Sequence, residues 1–395
     1  MITTRTFMAA KLCLVAIIGL LSGPIYAKDM VGARVPSVED APIALLIDIS
    51  SGQLLHARNP DRRFVPASIT KVMTMYLAFE LIEEGRLDPA QTFTVSPEIA
   101  EEWSGKGSSM FVQAGDQLQL SDMLTAIANV SANDASFMLA TQQAGSVEDW
   151  TQAMTDEARK LGMTNSHFAT PNGWPDEGAT FVTANDLVIL AKALISRHPR
   201  QYRAYMGKQQ FTFNGITQTN YDPLIGRVEG ADGIKTGFTN EAGFGYLGTV
   251  VRNGQRLVLV IAGARSNRER ARLAREYVEW GFDAFDRQRL FAKGEVVGEA
   301  RVQNGSTSRI ELMTDRPVFV NVPANSTAKD GVSPSIRITY DGPIRAPINE
   351  GQKVATLEVT VPGMEIARVP LLAKSATSEA GFFARIYNGV LGWFS

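Results

Sequence analysis

The sequence has almost no cysteine and almost no histidine. Its single cysteine, Cys13, lies in the first apolar run, and only His56, His167 and His198 supply imidazole in 395 residues. Beyond residue 13 the chain can form no disulfide and no thiolate metal site. A chain without thiols suits an oxidising compartment. The three histidines are far apart and none stands in an H-E-x-x-H pattern, which argues against a zinc hydrolase. A Ser-His-Asp triad could draw on distant residues, so spacing alone leaves it open. Basic excess is missing too. Lys and Arg number 39 against 41 Asp and Glu, a net charge of -2, and nothing points to a nucleic-acid partner.

Long apolar runs are scarce. Residues 12–21 form one, but it is short for crossing a bilayer. Arg5 and Lys11 precede it, Ser22-Gly23-Pro24 follows, and Ile25-Tyr26-Ala27 ends in a small residue. Residues 1–27 therefore read as a secretory signal peptide, with a membrane anchor as the alternative. Lys11 and Leu12 before Cys13 do not form a lipoprotein site. Removing residues 1–27 takes away two bases and no acids and moves the net charge from -2 to -4.

What is present is ordinary globular composition, 45% hydrophobic and 20% charged. The length suggests two or three domains. Residues 43–49 and 53–57 flank Ser50-Ser51-Gly52 and read as a hairpin. Residues 68–84 then read as a helix apolar on nearly every face, which belongs inside a domain. Helical signals continue over 121–129, 135–144, 147–161 and 184–196, the last after the N-cap Thr183. Residues 243–251 and 255–262 flank Arg252-Asn253-Gly254, a strong hairpin signal, and 268–285 reads as a helix. Strands thus open and close residues 28–286 while helices fill the middle, an α+β pattern with an antiparallel sheet. From 293 to 373 short alternating segments (316–322, 335–340, 353–361) between turn residues predict a small all-β domain. A terminal segment, 378–395, stands apart.

Three short motifs carry chemistry. Ser68-Ile69-Thr70-Lys71 is S-x-x-K, Ser131-Ala132-Asn133 is S-x-N and Lys235-Thr236-Gly237 is K-T-G. Each is weak alone; in this order they form a recognisable set. Ser68 opens the buried helix, where the dipole favours a developing alkoxide. Lys71 lies one turn on, on the same face. Apolar neighbours and a second cation would lower its pKa and let it take the Ser68 proton. Ser131 and Asn133 fall in a break between helices, where Ser131 can relay a proton and Asn133 can bind a substrate amide. Lys235 supplies positive charge, Thr236 can bind a carboxylate, and Gly237 admits substrate to the strand backbone.

On these motifs the chain resembles the low-molecular-mass penicillin-binding proteins, the serine D-alanyl-D-alanine carboxypeptidases with a β-rich C-terminal domain. Pro66-Ala67 before Ser68, Gly107-Ser108-Ser109-Met110-Phe111, Asp134-Ala135 after S-x-N, Asp232-Gly233-Ile234 before K-T-G, and the segment from Phe211 to Ile216 add to the likeness, which spans residues 30–395. The resemblance implies a serine transpeptidase/β-lactamase-like domain followed by the β domain. It implies Ser68 as acylated nucleophile and Lys71 as general base. Ser131 assists proton transfer, and Asn133, Lys235, Thr236 and Gly237 position the substrate. Backbone amides of Ser68 and Phe238 form the oxyanion hole, and Arg270, with Arg265 second, holds the terminal carboxylate. Two departures stand out. Phe238 occupies a position often His in relatives, and no arginine stands around Asn220-Tyr221-Asp222.

The implied reaction removes the terminal D-Ala from peptidoglycan stem peptides without metal or organic cofactor. β-Lactams act as covalent inhibitors. Alternatives are a D,D-endopeptidase on cross-links, a β-lactamase, for which no deacylating Glu is identifiable between Ser131 and Lys235, and a non-catalytic peptidoglycan-binding scaffold. At the C-terminus Phe383, Ile386, Tyr387, Val390, Leu391 and Phe394 fall on one helical stripe. Such a helix suits the membrane interface, so residues 381–394 are expected to attach the protein to the outer face of the inner membrane, in the periplasm. A helix docked on the β domain is the alternative.

Overall fold

The computed structural model describes residues 35–36, 41–103, 105–324 and 332–381. The signal-peptide and amphipathic-helix expectations fall on residues 1–27 and 382–395, outside the described residues. The first domain is built on β1 (Ile43–Asp48), β2 (Gln53–Arg58), β3 (Ala231–Thr239), β4 (Gly243–Arg252) and β5 (Gln255–Ala264). They form one antiparallel sheet in the order β2-β1-β5-β4-β3.

The runs in β1 and β5 are apolar at nearly every position because both sheet faces are covered. Side chains alternate between faces. Ile43, Leu45, Val258 and Val260 join the helical core on one side, while Ala44, Leu46, Leu257 and Leu259 join a second core on the other. The helical side comprises α1 (Lys71–Glu83), α2 (Leu120–Asn129), α3 (Asn133–Ala144), α4 (Val147–Leu161) and α5 (Ala184–Arg197); α6 (Asn267–Asp283) covers the opposite face. In α1, Val72, Met73, Met75, Tyr76 and Phe79 are all fully buried, as expected for a helix apolar all round. Burying each such side chain is worth roughly 1.5–3 kcal/mol before entropy is counted. Thr183 caps α5 by accepting the Asp186 N–H at 3.1 Å.

The expected helix over 68–84 starts differently. Ala67–Thr70 is a tight 3-10 turn, and the α-helix begins only at Lys71. At the other hairpin Asn253 and Gly254 have φ of 50° and 73°, both left-handed, as a two-residue hairpin turn requires.

The second domain starts at Phe285, not near 293. Phe285–Phe291 pairs antiparallel with Val318–Pro323. Its charged residues in alternate positions hid the strand within the preceding helical pattern. A six-stranded sheet completes the domain, in the order Ser335–Thr339, Lys353–Thr360, Ala367–Ala373, Arg309–Met313, Val296–Gln303, Ile344–Arg345. Leu312, Leu357 and Leu371 are fully buried at its centre. The domain also runs further than 373. Thr377 exchanges backbone hydrogen bonds with Ile348, the Ser306 N–H donates to the Ser378 carbonyl, and the Ala380 N–H to that of Asn304. Residues 378–380 therefore belong to the β domain and not to a separate terminal segment. Among the described residues no helix is long and apolar enough to cross a membrane.

Candidate active site

The three motifs meet. The turn Ala67–Thr70, the start of α1, the break between α2 and α3, and β3 converge on a cleft of about 900 Å³ lined by Ser68, Ser131, Asn133, Thr236, Gly237 and Phe238, among others.

Lys71 is fully buried. Its Nζ lies 2.8 Å from Ser68 Oγ, 2.7 Å from Asn133 Oδ1 and 2.7 Å from the Asn172 carbonyl oxygen. A neutral amine has two N–H groups and one lone pair. Two of its three neighbours are carbonyl-type oxygens that can only accept. In the neutral form these take both N–H groups, which would leave the lone pair for the Ser68 hydroxyl. Burial first, then the Lys235 cation, push the Lys71 pKa well below its usual value; Asp134 opposes them. The second cation anticipated from sequence is Lys235.

Lys235 is also buried, and its pKa falls to about 7, through burial first and the Arg270 cation second, with Asp222 pulling the other way. Its Nζ donates to the Thr236 carbonyl at 3.2 Å. Ser131 has φ 62°, in the left-handed region, and is 3% exposed. That backbone breaks α2 from α3 and lets the hydroxyl line the cleft.

Asn133 also has a part within the protein. Its Oδ1 accepts from Lys71 and its Nδ2 donates to the Lys106 carbonyl at 3.1 Å. Asn133 thus fixes Lys71 and also lines the cleft. Gly237 likewise serves an internal contact. A Cβ there would stand 2.5 Å from the Pro66 carbonyl oxygen, so glycine lets β3 press against the turn that carries Ser68. Arg270 lines the cleft but is 5% exposed; Nη2 donates to Asn267 Oδ1 at 2.6 Å and Nη1 to the Gly245 carbonyl at 3.4 Å. Arg265, the second choice, forms an exposed ion pair with Glu269 at 2.9 Å and does not line the cleft.

Sequence reasoning missed several contributors. The loop through Asn172 and Gly173 has no motif of its own, yet the Asn172 carbonyl holds Lys71. A Cβ on Gly173 would fall 1.9 Å from the Ala67 carbonyl oxygen, so the loop docks directly on the nucleophile turn. The buried Asp134 accepts from the Ser109 hydroxyl and the Met110 N–H, tying the Gly107–Phe111 stretch to the S-x-N segment. Asp222 is buried, accepts from Tyr246 Oη at 3.1 Å, and has its pKa raised, chiefly by burial. Asp222 is also the acid whose field reaches both Lys235 and Arg270. The aromatic side chains Trp174, Tyr221 and Phe238 stand exposed along the cleft. Phe238 stacks on Phe244 with centroids 4.2 Å apart. The three histidines all lie elsewhere. His56 packs by Tyr277, His198 pairs with Glu80, and His167 meets the Ala179 carbonyl. None supplies a triad.

Comparison with known proteins agrees with this geometry. Residues 30–266 match the family described as D-alanyl-D-alanine carboxypeptidase, and residues 285–379 match the penicillin-binding protein 5 C-terminal domain. The chain is 32% identical over 378 residues to the D-alanyl-D-alanine carboxypeptidase DacC of Escherichia coli, covering 91% of this chain and 92% of that one. It is 30% identical over 359 residues to DacF of Bacillus subtilis, covering 90% of each. Penicillin-binding protein 5 of Haemophilus influenzae superposes with a TM-score of 0.76 at 27% identity, covering 88% of this chain and 100% of that one. Penicillin-binding protein D2 of Listeria monocytogenes, solved with ampicillin bound, superposes with a TM-score of 0.57 at 28% identity, covering 62% of this chain and 100% of that one.

Proposed function

The chain belongs to the D-alanyl-D-alanine carboxypeptidase family and is a serine-type hydrolase of D-Ala-D-Ala termini, and from that premise we propose how its cleft works. Ser68 Oγ attacks the carbonyl carbon of the penultimate D-Ala as its proton passes to Lys71 Nζ. The tetrahedral oxyanion is received by the backbone N–H groups of Ser68 and Phe238. Collapse breaks the C–N bond, and Ser131 passes the proton from Lys71 to the departing D-Ala amine. Water then hydrolyses the Ser68 ester, with Lys71 again as base, and restores the hydroxyl. Thr236 and the Arg270 cation line the end of the cleft that attracts the terminal carboxylate, with Lys235 buried beside Thr236.

One observation carries this reading. Lys71 is buried with its Nζ 2.8 Å from Ser68 Oγ and held at 2.7 Å by two carbonyl-type oxygens, those of Asn133 and Asn172. The substrate is the peptidoglycan stem peptide. A β-lactam acylates Ser68 by the same attack, but its ring nitrogen stays tethered, so the ester persists; the ampicillin-bound relative supports this. Residues 1–27 direct export, and residues 381–394 hold the enzyme on the outer face of the inner membrane.

The test uses the protein without residues 1–27, incubated with a D-Ala-D-Ala pentapeptide and with a labelled penicillin. Wild type should release one D-Ala and become labelled. Ser68→Ala should do neither while keeping its melting temperature. Full labelling of Ser68→Ala would remove Ser68 from the mechanism.

A further inference from the structure

The charged side chains that line the cleft are two arginines, Arg227 and Arg270, with no aspartate or glutamate among the described lining residues. The two arginines are not equivalent. Arg270 is 5% exposed; two of its nitrogens already donate within the protein, and its Nε is buried without a partner. Its guanidinium lies 5.8 Å from the Phe244 ring centroid. Arg227 is exposed, and its Nη1 makes a 3.3 Å hydrogen bond to the Pro223 carbonyl.

The backbone beneath Arg227 is anchored. Leu224 and Val228 on either side are buried, and the N–H groups of Arg227 and Val228 both donate to the Leu224 carbonyl, at 2.9 and 2.8 Å. Asp222 fixes the start of the turn by accepting from the Leu224 N–H at 2.8 Å. An exposed cationic head on a fixed stem is thus presented to the cleft. Its planar fork suits two parallel hydrogen bonds to a carboxylate.

We propose that Arg227 makes the direct ion pair with the substrate's terminal α-carboxylate, while Arg270 is a buried cation of the same cleft, held by Asn267 and the Gly245 carbonyl. Arg227 is then the residue that makes the enzyme select a free C-terminus. The inference rests on the carboxypeptidase reading. It also answers the missing arginine around Asn220: the function is supplied from seven residues further along, on a different backbone segment.

The test compares a D-Ala-D-Ala-terminated peptide with the same peptide amidated at its C-terminus. The readout is the ratio of kcat/KM between free acid and amide. Arg227→Gln should reduce the preference for the acid by roughly tenfold or more, mainly through KM, because a charge-assisted contact to the bound ground state is lost. Arg227→Lys should keep part of it. Acylation by benzylpenicillin against its methyl ester gives the same comparison in one step. A wild-type acid preference in Arg227→Gln overturns the proposal, as does an equal loss on acid and amide, which marks a structural role. If wild type releases no D-Ala from the free acid, the carboxypeptidase reading itself falls.

Discussion

Lys71 shows how one side chain is made into a base. Nothing about lysine in water favours accepting a proton at neutral pH. Burial and the Lys235 cation lower its pKa, and two fixed acceptors hold its Nζ beside Ser68 Oγ. Lys71→Arg should therefore fail as completely as Lys71→Ala, since arginine stays protonated. Either should slow penicillin acylation by about 10²–10⁴-fold, the usual contribution of a positioned base. Near-normal acylation by Lys71→Arg would show that the base lies elsewhere. Lys235 provides a second test, and its sign can be worked out. The folded pKa is about 7 against an ordinary lysine value of 10.5. The unfolded chain binds more protons between those values, so the cost of burying this cation is full below pH 7 and fades by 10.5. Lys235→Met should raise the melting temperature at pH 7, with a gain that shrinks towards pH 10. It should also raise the Lys71 pKa, so the acid limb of residual acylation moves to higher pH. Unchanged melting, or a limb that moves to lower pH, would refute the coupling.

At the scale of elements, legibility followed the strength of the local pattern. The stretch 147–161 was read to the residue, because a cap, an amphipathic period and a glycine stop all agree, with Gly162 at φ 94°. The hairpin at Asn253-Gly254 was equally plain. β3 is legible as a strand only at Gly237 and its bounds are not, since Gly233 and Gly237 dilute its β-pattern and a glycine in a strand marks close approach only once the neighbour is known. The motifs named the reacting residues, yet the loop at Asn172 and the acid at Asp222 were invisible, because their work is done through a carbonyl and through burial that only tertiary packing creates. Gly237 gives the element-scale prediction. Gly237→Ala must push β3 away from Pro66 or tilt the Ser68 turn. It should cost about 1–3 kcal/mol of stability from overpacking. A shift near 1 Å between Ser68 and the Phe238 amide should slow acylation by about 10²-fold. Wild-type acylation and melting in Gly237→Ala would show that the strand has room.

At the scale of the molecule, the two domains are joined through a buried polar junction. Asn321 Nδ2 donates to Asp48 Oδ2 at 2.8 Å and Ser51 Oγ at 3.1 Å, while Gln53 Oε1 accepts the Asn321 N–H at 2.5 Å. The turn between β1 and β2 is thereby tied to the β domain. The β domain in turn holds the last described residues. The Ser378 carbonyl and the Ala380 N–H are both paired with the segment Asn304–Ser306, and Ala380 is 4% exposed. Removal of the terminal segment is therefore a test with two boundaries. Deletion of 382–395 takes away the apolar stripe and spares these contacts. It should move the protein from the membrane fraction to the soluble one, with D-Ala release unchanged. Deletion of 378–395 also removes two backbone hydrogen bonds and a buried alanine, and should cost a further amount of about 2 kcal/mol in the β domain. If the 382–395 deletion still sediments with membranes, the stripe is not the anchor. If that shorter deletion melts as low as the longer one, the segment docks on the β domain and its apolar face is part of the fold.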